Sequence, residues 1–349
     1  MSIREALGWS LVWVVLGLTF GGFVYVGYEN RWLGLGLTED VMTATPRLVE
    51  GVGVVYNDGA SAAIKYITGY LVEKSLAVDN IFVIAMIFGI LVLPSIYQHR
   101  VLFWGIVGAL LMRGVMIAVG AQLIREFAWI LYVFGAFLIV TGVKMLFVKN
   151  GHADPNRNLA IRLTRRLIPI TEGLHGQHFF VRAGSDAARE PAVPGEAARP
   201  DRTIEAARPG ALLATPLLLA LIIVEVTDLI FAVDSIPAIF AITADPFLVF
   251  TSNVFAILGL RSLYFALAGM IDQFRYLKAS LAFVLMIAGT KMMIHDWLKQ
   301  ALGQHFALYL LVVILLVLLA GVVASLRTSR PRQPVPGVQE GSTFPSHRG

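Results

Sequence analysis

Long apolar stretches are the feature that most constrains the fold of this chain. They lie at about residues 7–29, 62–94, 101–119, 127–148, 211–242, 248–270, 278–297 and 306–326. Most are close to or above the roughly 20 helical residues that cross a bilayer. Only 15% of the 349 residues are charged, against about a quarter in soluble domains. The sequence therefore predicts an all-α polytopic membrane protein with about eight transmembrane helices embedded in a lipid bilayer.

Lysine and arginine are concentrated in a few connecting segments, and their positions predict the orientation of the helices. The segments 149–210 and 327–349 are rich in arginine, whereas the stretch Glu29–Asp58 is partly acidic. Basic loops are retained on the cytoplasmic side of membranes. We therefore expect an inner-membrane protein with both termini in the cytoplasm. The same distribution accounts for the net charge of +5, so we expect no nucleic-acid partner.

Composition predicts four parts along the chain. Residues 1–148 are expected to form a first membrane half with spans 1–4, and residues 211–326 a second half with spans 5–8. Residues 149–210 are expected to form a cytoplasmic loop. Within it, residues 183–210 are rich in alanine, proline, glycine and arginine, which predicts a low-complexity linker that cannot bury a core. The tail 327–349 is expected to be disordered and cytoplasmic.

The two halves repeat the same landmarks in the same order. The matched landmarks are KSLAVDN (74–80) with LIFAVDS (229–235), Arg113 with Arg261, and Lys144 with Lys291, at offsets of 155, 148 and 147 residues. Each unit contains three spans, an odd number, so the second unit should enter the membrane in the opposite direction. This predicts an inverted repeat of three-helix units, as in many secondary transporters, whose sites lie at the interface of the repeats. The alternative is a general similarity between short apolar helices.

Five carboxylates lie inside the predicted spans. They are Glu73, Asp79, Glu225, Asp228 and Asp234. A carboxylate at the centre of a membrane helix costs about 2.5 to 3.5 kcal/mol on insertion scales. We therefore expect these side chains to face a cavity, a partner or an ion.

The two matching motifs suggest how such a site could form. On a straight helix, residues six apart are turned by about 240°, so the two carboxylates of each motif would not point at one place. The length of the second and fifth spans, together with Pro237, favours helices that unwind at AVDN and AVDS. Backbone carbonyls could then join Asp79, Asn80, Asp234 and Ser235 as oxygen ligands.

The ligand types restrict the ion. Oxygen donors suit Mg²⁺, Ca²⁺ and Mn²⁺ better than Zn²⁺ or Cu⁺, and the chain has no cysteine. The predicted metal-binding residues are Glu73, Asp79, Asn80, Glu225, Asp228 and Asp234. Among these, we expect Asp79, Asn80 and Asp234 to be the core ligands.

Two further interpretations follow from the other polar residues. The acidic side chains could instead be neutralised in internal ion pairs by Arg113 and Arg261. The histidines, including His99, His175 and His178, are interpreted as solvent-exposed. Since the spans contain no Ser/His/Asp set and no histidine-rich metal box, we expect neither an enzyme nor a resident cofactor.

Two long motifs resemble the TerC/Alx family of bacterial membrane proteins. These are EKSLAVDN, which begins at Glu73, and EVTDLIFAVDSIPAIFAITADPFLVFTSNVFAILGLRSLYF, which begins at Glu225. The resemblance extends from about Gly8 to Leu326 and includes RLIPITEGLHGQHFFVR in the central loop. The stretch 183–210 looks longer than is usual in the family.

The resemblance implies a role in manganese homeostasis, with Mn²⁺ export across the cytoplasmic membrane, in a family first named for tellurium resistance. It also implies that the six acidic and amide positions named above are the metal-binding positions. Neither composition nor spacing selects Mn²⁺ over Ca²⁺ or Mg²⁺. A rival hypothesis is a non-transporting membrane scaffold that confers tellurite or stress resistance. The residues leave the coupling ion and the oligomeric state open, and a homo-oligomer is compatible with them.

Overall fold

The computed structural model describes residues 3–43, 46–147, 169–193, 195, 200–267, 276–295, 297–298 and 306–328. The α-helices with described bounds are α1 (Ile3–Glu29), α2 (Gly59–Ile90), α3 (Ser95–Glu126), α4 (Ile130–Phe147), α5 (Arg202–Ala206), α6 (Pro216–Phe240), α7 (Pro246–Leu258), α8 (Leu260–Leu267), α9 (Leu277–Met293) and α10 (Phe306–Thr328). Two short antiparallel strand pairs accompany them, the hairpin of β1 (Arg47–Val49) with β2 (Gly53–Val55), and β3 (Phe180–Arg182) with the distant β4 (Leu212–Ala214).

Helices occupy all eight predicted spans, which confirms an all-α polytopic membrane protein. Within the described residues, six helical segments are long and apolar enough to cross a membrane: Arg4–Glu29, Ser95–Glu126, Ile130–Phe147, Pro216–Phe240, Pro246–Ala266 and Ala307–Ser325. The other two predicted spans are α2, which is long but carries several charges, and α9, which has 17 residues. The helix α2 lies at the centre of the bundle, where it contacts α1, α6, α7 and α10.

The directions of the packed helices confirm the inverted repeat. A Cβ on Gly105 of α3 would lie 3.3 Å from Val224 of α6, and one on Gly120 would lie 2.7 Å from Phe240, so α3 and α6 run parallel. The helices α2 and α7 also run parallel, since Gly69 adjoins Ser252 and the Lys74 ammonium donates to the Ala256 carbonyl.

The third helices of the two units, α4 and α9, run antiparallel. A Cβ added to Gly135 of α4 would lie 2.9 Å from the carbonyl oxygen of Gly289. Seven residues further along α4, a Cβ on Gly142 would lie 2.7 Å from the carbonyl oxygen of Ala282. Corresponding helices of a direct repeat would be parallel, whereas those of an inverted repeat point in opposite directions.

The predicted unwinding at AVDN and AVDS is wrong. The helix α2 is continuous from Gly59 to Ile90, and α6 continues through Pro237 to Phe240. Proline breaks a helix by removing a hydrogen bond to the carbonyl four residues earlier. Because Pro237 lies in the last turn of α6, this loss affects Val233 alone and the helix ends soon afterwards.

The expectation that residues 183–210 cannot bury a core is also wrong for the part that the structure describes. The stretch contributes two buried residues, Ala183 and Ala188. They pack with Val181 and Leu213, which lie just outside it. The strands β3 and β4 flank this stretch and pair with Val181 opposite Leu213. Their pairing brings the two ends of the stretch together, so that its alanine side chains pack against Val181 and Leu213 in a small interior. The predicted tail was 327–349; residues 327 and 328 belong to α10, and residues 329–349 and 149–168 lie outside the described residues.

The glycine contacts between α4 and α9 generate a prediction about stability. Gly135→Ala should lower the free energy of unfolding by about 1–3 kcal/mol, the cost of overpacking, because the nearest atom is a backbone carbonyl oxygen that cannot rotate away. The matched control is Gly22→Ala in α1, where a Cβ would meet nothing within 4 Å. Thermal unfolding of the purified protein in detergent measures both. Equal melting temperatures for the two variants would contradict the packing described here.

Candidate metal-binding site

Arg113 is a buried cation near the middle of α3. Its side chain is only 2% exposed. At 1.5 Å per residue, α3 is about 48 Å long, and Arg113 lies about 27 Å from its first residue. A guanidinium at this depth requires several acceptors, because an unpaired buried charge is costly.

The acceptors come from three other helices. Arg113 Nε and Nη2 donate to Asp228 Oδ2 and Oδ1 over 3.2 and 3.1 Å, a two-pronged interaction with one carboxylate. Arg113 Nη1 contacts Glu73 Oε1 and donates to Ser235 Oγ over 3.1 Å and to Asn253 Oδ1 over 2.9 Å. One guanidinium thus joins α2, α6 and α7 to α3.

Glu73 and Asp228 are equivalent positions of the inverted repeat. They are 155 residues apart, the same offset as between Asp79 and Asp234. Arg113 therefore binds one carboxylate from the first helix of each unit. Its own counterpart, Arg261, is exposed, so the arginines of the two units differ in role. The interpretation of Arg113 as a partner of internal carboxylates is consistent with these contacts.

Carboxylate oxygens beside Arg113 retain unused capacity to bind a cation. Glu73 is 1% exposed, and its Oε2 is buried without a hydrogen-bond partner among the described residues. The same holds for Oε2 of Glu225. Glu225 lies three residues before Asp228, on the same face of α6. A Cβ at Gly108 would overlap the Glu225 carboxylate, so glycine there lets α3 and this side chain meet.

The charges within this group do not cancel. Glu73 and Asp228 bind the guanidinium and Glu225 lies close to Asp228, so three carboxylates accompany one cation, with a charge of −2 when all are ionised. Low-polarity surroundings disfavour such an excess unless further positive charge is present. A divalent cation would cancel it.

The other predicted ligands lie elsewhere or outside the description. Asp234 accepts a hydrogen bond from Thr141 Oγ1 of α4 over 3.3 Å and does not contact Arg113. This separation from Asp228 follows from the straight helix, which turns residues six apart by about 240°. Asn80 is buried in α2, and the side chain of Asp79 lies outside the described residues.

The described side chains therefore unite Glu73 and Asp228, with Glu225 beside them, and separate Asp234 from this group. No three His, Asp or Glu side chains in the described part of the chain are arranged to hold a metal ion together. Between Glu73 and Asp228, the guanidinium of Arg113 lies where such an ion would need to bind. The metal-binding role of all six residues stays a prediction.

The structure contains a second buried polar cluster, which the sequence pattern did not predict. Lys65 Nζ of α2 donates to Asp40 Oδ2, Thr43 Oγ1 and Asn57 Oδ1 over 2.8, 2.8 and 2.6 Å. Asp40 also accepts from Thr243 Oγ1 over 2.7 Å and from the backbone of residue 244 over 2.8 Å. We name this set the Asp40 cluster. A lysine about three residues after the start of a predicted span, next to a partly acidic loop, was the signal that could have revealed it.

The Asp40 cluster fastens the loop after α1 onto the turn between α6 and α7. Burial alone would raise the pKa of Asp40, but the Lys65 ammonium outweighs burial and holds that pKa below its usual range. Asp245, in the same turn, has its pKa raised by burial despite the hydrogen bond that Tyr28 donates over 2.8 Å. The same turn is contacted by α9, whose Lys291 Nζ donates to the backbone carbonyl of Ala241. Lys291 is thus buried as well.

The central loop packs against the end of the bundle where α2 meets α3. The Arg100 guanidinium lies 5.1 Å from the ring centroid of Phe179, and Thr215 Oγ1 donates to the carbonyl of His178 over 2.7 Å. His175 is 4% exposed and its Nε2 lies 3.4 Å from Asp201 Oδ2, so its interpretation as solvent-exposed is wrong. Asp201 caps α5 and holds Gly173, which explains why the histidine between these segments is enclosed.

Comparisons with known proteins agree with this architecture. The sequence profile of the "Integral membrane protein TerC family" matches residues 58–333. An uncharacterized membrane protein of Myxococcus xanthus is 44% identical over 330 residues, which cover 95% of this chain and 85% of the relative. Proteins named "Putative membrane-bound redox modulator Alx" are 42% identical in Salmonella typhi, over 85% of this chain and 78% of the relative, and 41% identical in Escherichia coli strain K12, over 90% and 85%. No solved structure matches the chain.

Lys65→Met should destabilise the protein strongly, because it leaves the Asp40 carboxylate buried without its cation. Breaking a buried pair in this way costs about 3–5 kcal/mol. The double variant Asp40→Asn/Lys65→Met should recover part of the loss, and the control Lys144→Met, at an exposed position, should change little. Thermal unfolding in detergent measures all three. A Lys65→Met variant as stable as Lys144→Met would refute the cluster.

The lowered pKa of Asp40 predicts how this contribution depends on pH. Its stabilisation is complete above the unfolded pKa of about 3.9 and is lost as the pH falls through that value towards the folded pKa. The melting-temperature difference between the wild type and Asp40→Asn/Lys65→Met should therefore be smaller at about pH 3 than at about pH 7. A difference that widens in acid would contradict the pairing.

Proposed function

Since the chain belongs to the TerC family of integral membrane proteins, we propose that it transports divalent metal cations across the membrane, with Mn²⁺ as the exported ion. The observation that carries this proposal is the group of Glu73, Glu225 and Asp228 around Arg113. It lies near the middle of α2, α3 and α6, between two inverted three-helix units. Secondary transporters place their substrate sites at such an interface.

The residual charge of the group supports a divalent cation as substrate. Two buried carboxylate oxygens have no hydrogen-bond partner in the described part of the chain, and Ser235 and Asn253 add neutral oxygen atoms close by. Hard or borderline ions such as Mg²⁺, Ca²⁺ and Mn²⁺ prefer oxygen donors of these kinds. The choice of Mn²⁺ among them rests on the family resemblance.

The Asp40 cluster supports an alternating-access mechanism. It ties the turn between α6 and α7 to the loop after α1, at the end of α6 beyond Asp234. With the termini in the cytoplasm, as the basic loops predict, this end faces outwards. We therefore assign the Asp40 cluster to the outer closure in the proposed alternating-access cycle. Release of the ion to that side would require the contacts of Asp40 with Thr243 and Ala244 to break.

A scaffold without transport activity is the second candidate, and the name of the Alx relatives as redox modulators favours it. The chain has no cysteine, so a redox role would act through a partner or a bound group rather than through its own thiols. The ordered loop around β3 and β4 would then be the interacting part. This candidate predicts that the buried carboxylates tolerate amide substitution, whereas alterations of the loop abolish function.

Mn²⁺ flux into proteoliposomes separates the two candidates. Glu73→Gln and Asp228→Asn should each reduce the flux by about tenfold or more, because they remove charge from the cation site. Asp79→Asn and Asp234→Asn test the remaining predicted ligands in the same assay. Asp186→Asn, at an exposed carboxylate of the central loop, is the matched control and should transport normally. Undiminished flux in all four membrane variants would contradict the proposed site.

A further inference from the structure

Arg113 competes with the substrate for its ligands. Both oxygens of Asp228 and one oxygen of Glu73 bind the guanidinium. A divalent cation held by both carboxylates could reach Glu73 through its free Oε2, but it would need the Asp228 oxygens that bind the guanidinium, and it would be repelled by that guanidinium at hydrogen-bond distance from them. The cation and Arg113 therefore cannot occupy the two carboxylates together.

Arg113 has two neutral hydrogen-bond acceptors that could hold it while the carboxylates bind an ion. Ser235 Oγ and Asn253 Oδ1 lie 3.1 and 2.9 Å from its Nη1. Both residues are buried, at 2% and 1% exposure. The unpartnered Oε2 of Glu73, whose side chain is only 1% exposed, marks the place where additional positive charge can be received. The group can thus exchange one cation for another without exposing Arg113 to lipid.

We propose that Arg113 is a tethered counter-cation that takes the place of the metal ion in the unloaded transporter, an inference that rests on the proposed function. Without the ion, the guanidinium reduces the charge of the Glu73 and Asp228 pair from −2 to −1. This reduction permits the unloaded protein to change conformation, since bare carboxylates are costly in a low-dielectric interior. When the ion binds, it displaces Arg113 towards Ser235 and Asn253.

The role is specific to one arginine of the repeat. Arg261, the counterpart of Arg113, is exposed, and the described contacts give it no carboxylate partner in the bundle. It therefore supplies a matched control with the same side chain in the equivalent position of the other unit. Arg261→Gln should transport like the wild type in every assay below.

Net transport and exchange distinguish a tethered counter-cation from a merely structural arginine. Net Mn²⁺ flux requires the unloaded protein to return, whereas exchange of radiolabelled Mn²⁺ for unlabelled Mn²⁺ does not. Arg113→Gln in proteoliposomes should lower net flux by about tenfold or more while exchange stays within about twofold of the wild type. The variant should also bind Mn²⁺ more tightly, because the internal competitor is absent.

The outcomes separate this inference from the proposed function. A wild type without Mn²⁺ flux overturns both. A transporting wild type whose folded Arg113→Gln variant loses exchange as completely as net flux, or binds Mn²⁺ more weakly, overturns the inference alone. Thermal unfolding checks folding. If Arg113→Gln does not fold, Arg113→Lys decides, because lysine keeps the charge but cannot bind both carboxylates in the same geometry. Net flux reduced with exchange spared supports the inference, and equal loss of both overturns it.

Discussion

The interaction of Arg113 with Glu73 and Asp228 is the constraint on which the rest of the membrane region depends. A guanidinium and two carboxylates near the middle of a bilayer are stable only when they satisfy one another, because neither lipid nor water is available there in place of a partner. Their pairing fixes the positions of α2, α3 and α6 relative to one another and draws Ser235 and Asn253 inwards. The same pairing leaves the group acidic overall, which suits it to bind a cation.

Close helix packing supports this polar centre. Glycine residues let α3 approach α6 at Gly105, Gly108 and Gly120, and let α4 cross α9 at Gly135 and Gly289. The helices themselves stay continuous, so the carboxylates of α6 diverge, Asp228 towards α3 and Asp234 towards α4. Because the helix is straight, the two carboxylates of the motif lie in different environments. An unwound helix could have placed both in the same one.

The sequence was sufficient to predict those features that follow from local pattern. The eight spans follow from apolar length, and the inverted repeat follows from spacing and an odd number of helices. The partner of Arg113 could not be predicted, because Asp228 is 115 residues away along the chain and only packing brings the two together. The Asp40 cluster is equally non-local, joining Asp40 to Thr243. For the alanine-rich loop, composition predicted a linker without a core. Strand pairing between β3 and β4 instead orders this segment, which has few large hydrophobic side chains of its own.

The proposed function requires that the carboxylates around Arg113 form a binding site for a divalent cation. Electron paramagnetic resonance of Mn²⁺ added to the purified protein tests it directly, since the sharp spectrum of the hydrated ion broadens when the protein binds it. We expect a saturable bound signal in the wild type that is lost in the double variant Glu73→Gln/Asp228→Asn. A bound signal of equal size in that variant, or a spectrum of hydrated Mn²⁺ alone at every concentration of wild-type protein, would contradict it.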